Sequence, residues 1–277
     1  MDWVRSPAVA GSFYPADEPS LRKSVEDLLQ GVLETTHSAT PPKALIAPHA
    51  GYVYSGPVAA SIYARLLPFR ERYQRVVLLG PAHRYPFPGL AASSAMAFET
   101  PMGRIPLDLE AMAEALELPQ VRLLDRAHEG EHSLEVHLPF LQAVLGDFRL
   151  VPLVVGDALP QEVASVLVKL WGGDETLVVV SSDLSHFLPH GQAVALDEET
   201  ASAIEAFRPD DIGPDQACGR IPVGGLLLRA RALGLLVERV DLRNSGDTAG
   251  PRDRVVGYGS FLFTPPSRYH RSVRRSR

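Results

Sequence analysis

The sequence predicts an α/β protein, a three-layer α/β/α sandwich built on a mainly parallel mixed sheet. Three observations carry this reading. Short uncharged runs rich in Val, Ile and Leu alternate with longer segments whose apolar residues recur at three- and four-residue spacing. That alternation covers most of the chain, and strands separated by helices imply a parallel sheet covered on both faces. Two late segments alternate apolar and polar residues, as antiparallel strands with one wetter face do.

In chain order, the connection 34–42 (ETTHSATPP) joins an N-terminal helix to the first core strand, Ala44–Ala47. A helix over 57–67 leads to a strand at 76–79. Helices at 107–116 and 134–145 precede a strand at 150–155 and a helix at 161–170. The strand 177–180 is followed by helices at 192–207 and 223–233. Segments 236–244 and 255–263 then close the sheet as antiparallel strands. No internal repeat or long low-complexity linker divides the chain, so residues 1–267 read as one α/β domain and 268–277 as a basic tail.

Composition narrows the function classes. The chain is 45% hydrophobic and 22% charged over 277 residues, which is ordinary for a globular domain with a large core. Its net charge is −6, and the last ten residues hold five Arg and no acid, so residues 1–267 carry −11. An acidic body argues against nucleic-acid binding, which rests on neutralising phosphates. The single cysteine, Cys218, excludes an intrachain disulfide. No signal-peptide core and no apolar run of membrane-spanning length is present, so the expected location is cytoplasmic.

The chemistry-bearing residues gather after strands. Ala44–Ala47 is followed by Pro48-His49-Ala50-Gly51-Tyr52, the second strand by Gly80-Pro81-Ala82-His83, and the strand 177–180 by Ser181-Ser182-Asp183-Leu184-Ser185-His186. In open α/β sheets ligands bind outside the carboxyl ends of the strands, so these side chains are expected at one edge. A fourth cluster is Glu131-His132-Ser133-Leu134-Glu135-Val136-His137. On a helix His132 and Glu135 share a face at i, i+3, as do Glu131 and Glu135 at i, i+4, while His137 points elsewhere. Cys218 precedes an apolar helix, where a thiol tends toward thiolate. It reads either as a metal ligand with two His or as a nucleophile with His186 as base and Asp183 orienting it. No GxxxxGKS, GxGxxG or GxSxG motif occurs.

Taken in order, these segments resemble the Memo family. The resemblance is carried by PAVAGSFYP (7–15), APHAGYVYSG (47–56), LGPAH (79–83), EHSLEVHLPFL (131–141), VSSDLSH (180–186) and CGRIPVGG (218–225). It implies a fold similar to class III extradiol ring-cleavage dioxygenases, whose non-haem iron is held by two His and a carboxylate. The Memo pattern implies His49, His83 and Cys218 as metal ligands, with Asp183 and His186 lining the same pocket. Animal members are described as signalling effectors that bind phosphotyrosine peptides, with redox activity also proposed. Microbial relatives often accompany a radical-SAM protein and an AMMECR-like protein, which implies pathway partners. Two departures stand out: Cys218 replaces the dioxygenase carboxylate, and Ile221 stands where animal proteins tend to have His.

The leading expectation is a non-haem metalloprotein and oxidoreductase of dioxygenase type, with Fe(II), or else copper or zinc, on His49, His83 and Cys218. His186 and His132 are expected to move protons and Asp183 to orient a neighbouring His. Tyr52, Glu135 and Arg220 are expected to contact a small-molecule or peptide substrate. Two alternatives stand beside it: a pocket that binds a phosphopeptide or other anion through Arg220 without turnover, and a Cys–His hydrolase using Cys218, His186 and Asp183.

Overall fold

The computed structural model describes residues 3–32 and 40–266. The basic tail 268–277 and most of the 34–42 connection lie outside the described residues. Strand β1 (Val4–Arg5) is followed by helix α1 (Glu18–Gln30), β2 (Ala44–Ala47), α2 (Tyr52–Tyr63) and β3 (Arg75–Pro81). Then come β4 (Leu90–Ala92), β5 (Ala97–Thr100), β6 (Gly103–Pro106), α3 (Leu109–Leu116), β7 (Val121–Leu123), α4 (Leu138–Leu145), β8 (Arg149–Val155) and α5 (Pro160–Leu170). The chain continues through β9 (Thr176–Ser181), β10 (His186–Leu188), α6 (His190–Glu205), α7 (Arg220–Leu233), β11 (Leu236–Asn244), α8 (Ser245–Thr248) and β12 (Val255–Thr264).

The main sheet runs β10-β12-β2-β9-β3-β8-β4-β7, with β11 also paired to β12. Its centre, β2-β9-β3-β8, is parallel throughout, and its residues are buried on both faces. Helices on both sides explain why these strands are uninterrupted apolar runs rather than alternating ones. β12 and β11 add antiparallel strands beside β2. α2 packs with α1 and α4 in one layer and covers β2, β11 and β12. α5 and α7 pack tightly together, and α7 reaches β3 and β9. Gly225 permits that approach: a Cβ there would sit 2.4 Å from Val163 Cγ1. β1, β5 and β6 form a separate small sheet.

The parallel register brings the functional loops to one edge. Ala47 pairs with Ser181 and Leu79 with Val180, so the chain leaves β2, β9 and β3 at nearly the same level. His49 and Asp183 each stand two residues beyond a paired strand end.

Three local expectations are corrected. The helix expected at 57–67 begins instead at Tyr52, whose N–H donates to Phe13 O at 2.8 Å, and it passes into a 3-10 stretch at Ala64–Arg72. Segment 131–134 is not helical, and a 3-10 turn, Glu135–His137, precedes α4. Glu131 accounts for this: its carboxylate accepts the backbone N–H groups of His132 and Ser133, both at 2.9 Å, and so competes with a helical start. The expected shared helical face of Glu131, His132 and Glu135 therefore does not form. Finally, β4 to β7 add to the expected strands, since strands of three or four residues broken by Gly and Pro carry little periodicity.

Candidate metal centre

Three imidazoles converge at the strand edge. The ligand atoms of His49, His83 and His132 all lie within 4.8 Å of one another. Their rings pack closely, with centroids 5.1 Å apart for His49–His83, 5.4 Å for His49–His132 and 4.7 Å for the stacked pair His83–His132. His49 is buried, His132 half-buried and His83 exposed, so the group opens toward solvent on one side.

Each ring is held from behind. His49 N–H donates to Asp183 Oδ1 at 2.7 Å, and its Nδ1 lies 2.5 Å from Ser181 Oγ. His83 is gripped twice by Glu131, whose carboxylate accepts its backbone N–H at 2.6 Å and lies 2.9 Å from its Nδ1. Gly80 lets this segment cross β3, since a Cβ there would meet Ser133 Oγ at 2.7 Å. His132 packs against Phe13, with centroids 4.8 Å apart, and its buried Nδ1 has no hydrogen-bond partner.

Burial keeps two of the imidazoles, His49 and His132, neutral. Burial, reinforced by the neighbouring rings, holds His49 well below the ordinary histidine value. Burial lowers His132 to about 4, against the attraction of Glu131. For Glu131 itself burial opposes ionisation, but the bonds from His83 and from backbone N–H groups outweigh it and hold the carboxyl at about 2. Neutral imidazoles backed by an ionised carboxylate are what a divalent metal requires of its ligands and their supports. The orphaned His132 Nδ1 adds an unused donor at the same place. An imidazole set with a thiol beside it suits iron, copper or zinc better than magnesium or calcium.

Cys218 stands beside this group and not within it: its Sγ is 3.4 Å from His49 Nε2 and 3.6 Å from the carbonyl oxygen of Asp183. The lowered thiol expected from a helix start is corrected. Cys218 precedes α7, whose cap is Gly219, and burial together with Asp183 pushes the thiol up to about 12. Among the described residues no hydrogen bond joins His186 to Cys218 or to the Asp183 carboxylate. The ring in contact with Cys218 Sγ is that of His49, and the Asp183 carboxylate accepts from the His49 backbone. His186 lies on β10 and lines a neighbouring cleft of about 970 Å³ with Leu188, Glu199 and Asp215.

Of the three residues expected against substrate, Glu135 and Tyr52 are buried and bonded within the fold. Glu135 is fully buried and its carboxylate is saturated by Arg5, by Ala8 and Val9 N–H at 2.8 and 3.0 Å, and by the Tyr14 hydroxyl at 2.5 Å. Tyr52 is buried between Tyr14 and Phe140 and donates its hydroxyl to Val136 O at 2.8 Å. Arg220 begins α7 and is exposed. A cation that borders the site is Arg254. It lines a cavity of about 390 Å³ with Phe13, Tyr54, Tyr258, His132 and Asp183. Ser181 and Glu131 lie within the segments singled out in the sequence, but their supporting contacts, like the place of Arg254, arise between distant segments.

Among the described residues no helix is long and apolar enough to cross a membrane. The chain matches the family model described as Memo-like protein over residues 5–262. It is 38% identical over 272 residues to a MEMO1 family protein of Aquifex aeolicus, covering 94% of this chain and 99% of that one. A MEMO1 family protein of Sulfolobus acidocaldarius is 35% identical over 286 residues, with coverages of 94% and 99%. The crystal structure of an uncharacterized Escherichia coli K12 protein superposes with a TM-score of 0.53 at 15% identity, covering 78% of this chain and 98% of that one, a likeness of fold alone. With its strand-edge histidines in place and nearly its whole length matched, this chain belongs to the Memo-like family.

Proposed function

We propose that the protein is a non-haem metal-dependent oxidoreductase of dioxygenase type, with Fe(II) or copper held by His49 and His83 and completed by His132 or Cys218. The observation that carries this reading is the convergence of three imidazoles whose ligand atoms lie within 4.8 Å of one another, backed by Asp183, Ser181 and Glu131. A metal bound there would supply Lewis acidity and a redox-active centre. The rest is work for the chain's own residues. Glu131 orients His83 by accepting from its Nδ1, and Asp183 fixes the loop that carries His49. Phe13, Tyr54 and Tyr258 offer the adjoining cavity an aromatic wall, and Arg254 supplies it with a charge for an anionic substrate group.

The test is metal content by mass spectrometry on protein purified without oxygen and reconstituted with Fe(II). Near-stoichiometric metal in the wild type, strongly reduced in His49→Ala and accompanied by metal-dependent O₂ uptake, is the expected result. Comparing Cys218→Ser with His132→Ala shows which side chain completes the site. Protein that stays empty after reconstitution overturns the proposal. The cavity would then be read as an anion-binding pocket dependent on Arg254.

A further inference from the structure

Behind His49 lies a line of buried polar groups drawn from four separate segments. Ser181 Oγ, at the end of β9, lies 2.5 Å from His49 Nδ1, 2.8 Å from His137 Nε2 and 2.6 Å from the carbonyl oxygen of Ser133. His137, in the turn before α4, presents Nδ1 to the Tyr63 hydroxyl of α2 at 2.8 Å. All five residues are at most 1% exposed, so water does not complete these contacts.

Counting protons leaves one consistent arrangement. The Ser133 carbonyl carries no proton, so at 2.6 Å it must accept the hydrogen of Ser181. A hydroxyl has one hydrogen and two acceptor lone pairs. Ser181 Oγ must therefore accept from both rings, which places N–H on His49 Nδ1 and on His137 Nε2. A neutral imidazole carries only one N–H. His49 Nε2 is then a bare lone pair, and His137 Nδ1 is an acceptor, which is what the Tyr63 hydroxyl needs at that position. The opposite tautomer of His49 would set two lone pairs 2.5 Å apart in a buried site.

We infer that Ser181 is a positioning residue which, backed by His137 and Tyr63, holds His49 as its Nδ1–H tautomer and leaves Nε2, which faces Cys218 Sγ at 3.4 Å, unprotonated for ligation. Its consequence for metal affinity rests on the metal-centre reading; the tautomer itself does not. A ligating histidine whose other nitrogen is pinned binds more tightly, and loss of such a support costs about 10–100-fold in metal affinity. The line also accounts for His137. Its buried ring neither reaches the site nor packs as a plain apolar side chain, but completes the bonding of Ser181.

Two readouts on the full chain test this. The first is ¹H–¹⁵N correlation NMR of metal-free, histidine-labelled protein near neutral pH, which separates the two tautomers. The second is Co(II) binding followed by absorbance. The wild type is expected to show His49 protonated at Nδ1 and His137 at Nε2. In Ser181→Ala the His49 signal should move toward a tautomer mixture, and Co(II) affinity should fall about 10–100-fold. Ser181→Thr, which keeps the hydroxyl, should restore both. Tyr63→Phe should release the His137 tautomer while changing Co(II) affinity less than Ser181→Ala does. Wild-type His49 carrying its proton on Nε2 overturns the inference whatever the variants do. So does a folded Ser181→Ala that keeps both the tautomer and the affinity. A wild type with the expected tautomer that binds no Co(II) would instead count against the metal reading.

Discussion

Glu131 and Glu135 stand four residues apart in one short segment, and both are buried carboxylates saturated with hydrogen bonds. Their partners separate them. Glu131 spends its oxygens on His83 and on the backbone that carries His132, so it shapes the candidate metal site. Glu135 turns the other way, to Arg5 and the 8–14 segment, and binds the N-terminal strand to the body of the fold. Arg5 also donates to the carbonyl oxygen of Glu131 at 2.7 Å, so the fold anchor touches the back of the site segment. Residue type and burial are alike in the two glutamates. What differs is the bonded partner: Glu131 holds a histidine of the candidate site, and Glu135 holds the N-terminal segment.

The largest test of this contrast is Glu135→Gln. It leaves the buried Arg5 without its countercharge, and removing one partner of such a pair costs about 3–5 kcal/mol. Chemical unfolding should show that loss. If the variant unfolds like the wild type, Glu135 is not the anchor described. Glu131→Gln should behave in the opposite sense. Loss of a carboxylate support to a ligating histidine predicts metal affinity lower by about 10–100-fold, with a smaller loss of stability than in Glu135→Gln. Metal titration and unfolding on the two variants side by side decide this, and equal effects on both properties would erase the distinction.

A third buried carboxylate sharpens the comparison. Asp197 is 2% exposed and accepts the Ser185 N–H at 2.9 Å, and it is pressed against Gly257, where a Cβ would lie 2.0 Å from Oδ2. Burial wins there and pushes the carboxyl up to about 6, with the Ser185 bond opposing. An acid whose folded value is raised holds its proton more tightly when folded. Its contribution is complete below about pH 4 and is lost as pH rises through about 6. Asp197→Asn should therefore gain about 3 kcal/mol at pH 7 and less than about 1 kcal/mol at pH 4. Unfolding at the two pH values checks it; an equal shift at both would show that ionisation is not the cause.

Much of the scaffold is legible in the sequence because burial on both faces of a parallel strand leaves a plain mark. The patterning marks Ala44–Ala47 and Leu236–Asn244 at their observed boundaries, and delimits β3, β8 and β9 to within one or two residues. The strand-end rule also brings His49, His83 and Asp183 to one edge from chain order alone, since parallel register fixes where those loops begin. The 131–137 segment departs from its pattern for a physical reason. Its spacing suits a helix, but Glu131 bonds its own following backbone and prevents one.

By itself, the sequence determined the α/β layering, the strand edge where polar chemistry collects and the residue types available there. These follow from local periodicity and from the acidic, single-cysteine composition. Tertiary structure alone decided that His132 joins His49 and His83, that Cys218 stands to one side, and that Arg254 rather than Arg220 borders the cavity. It also decided which glutamate serves the site and which proton sits on which histidine. Those outcomes depend on contacts between segments tens of residues or more apart, set by the side chain that reaches each lone pair first, and no periodicity along the chain records them.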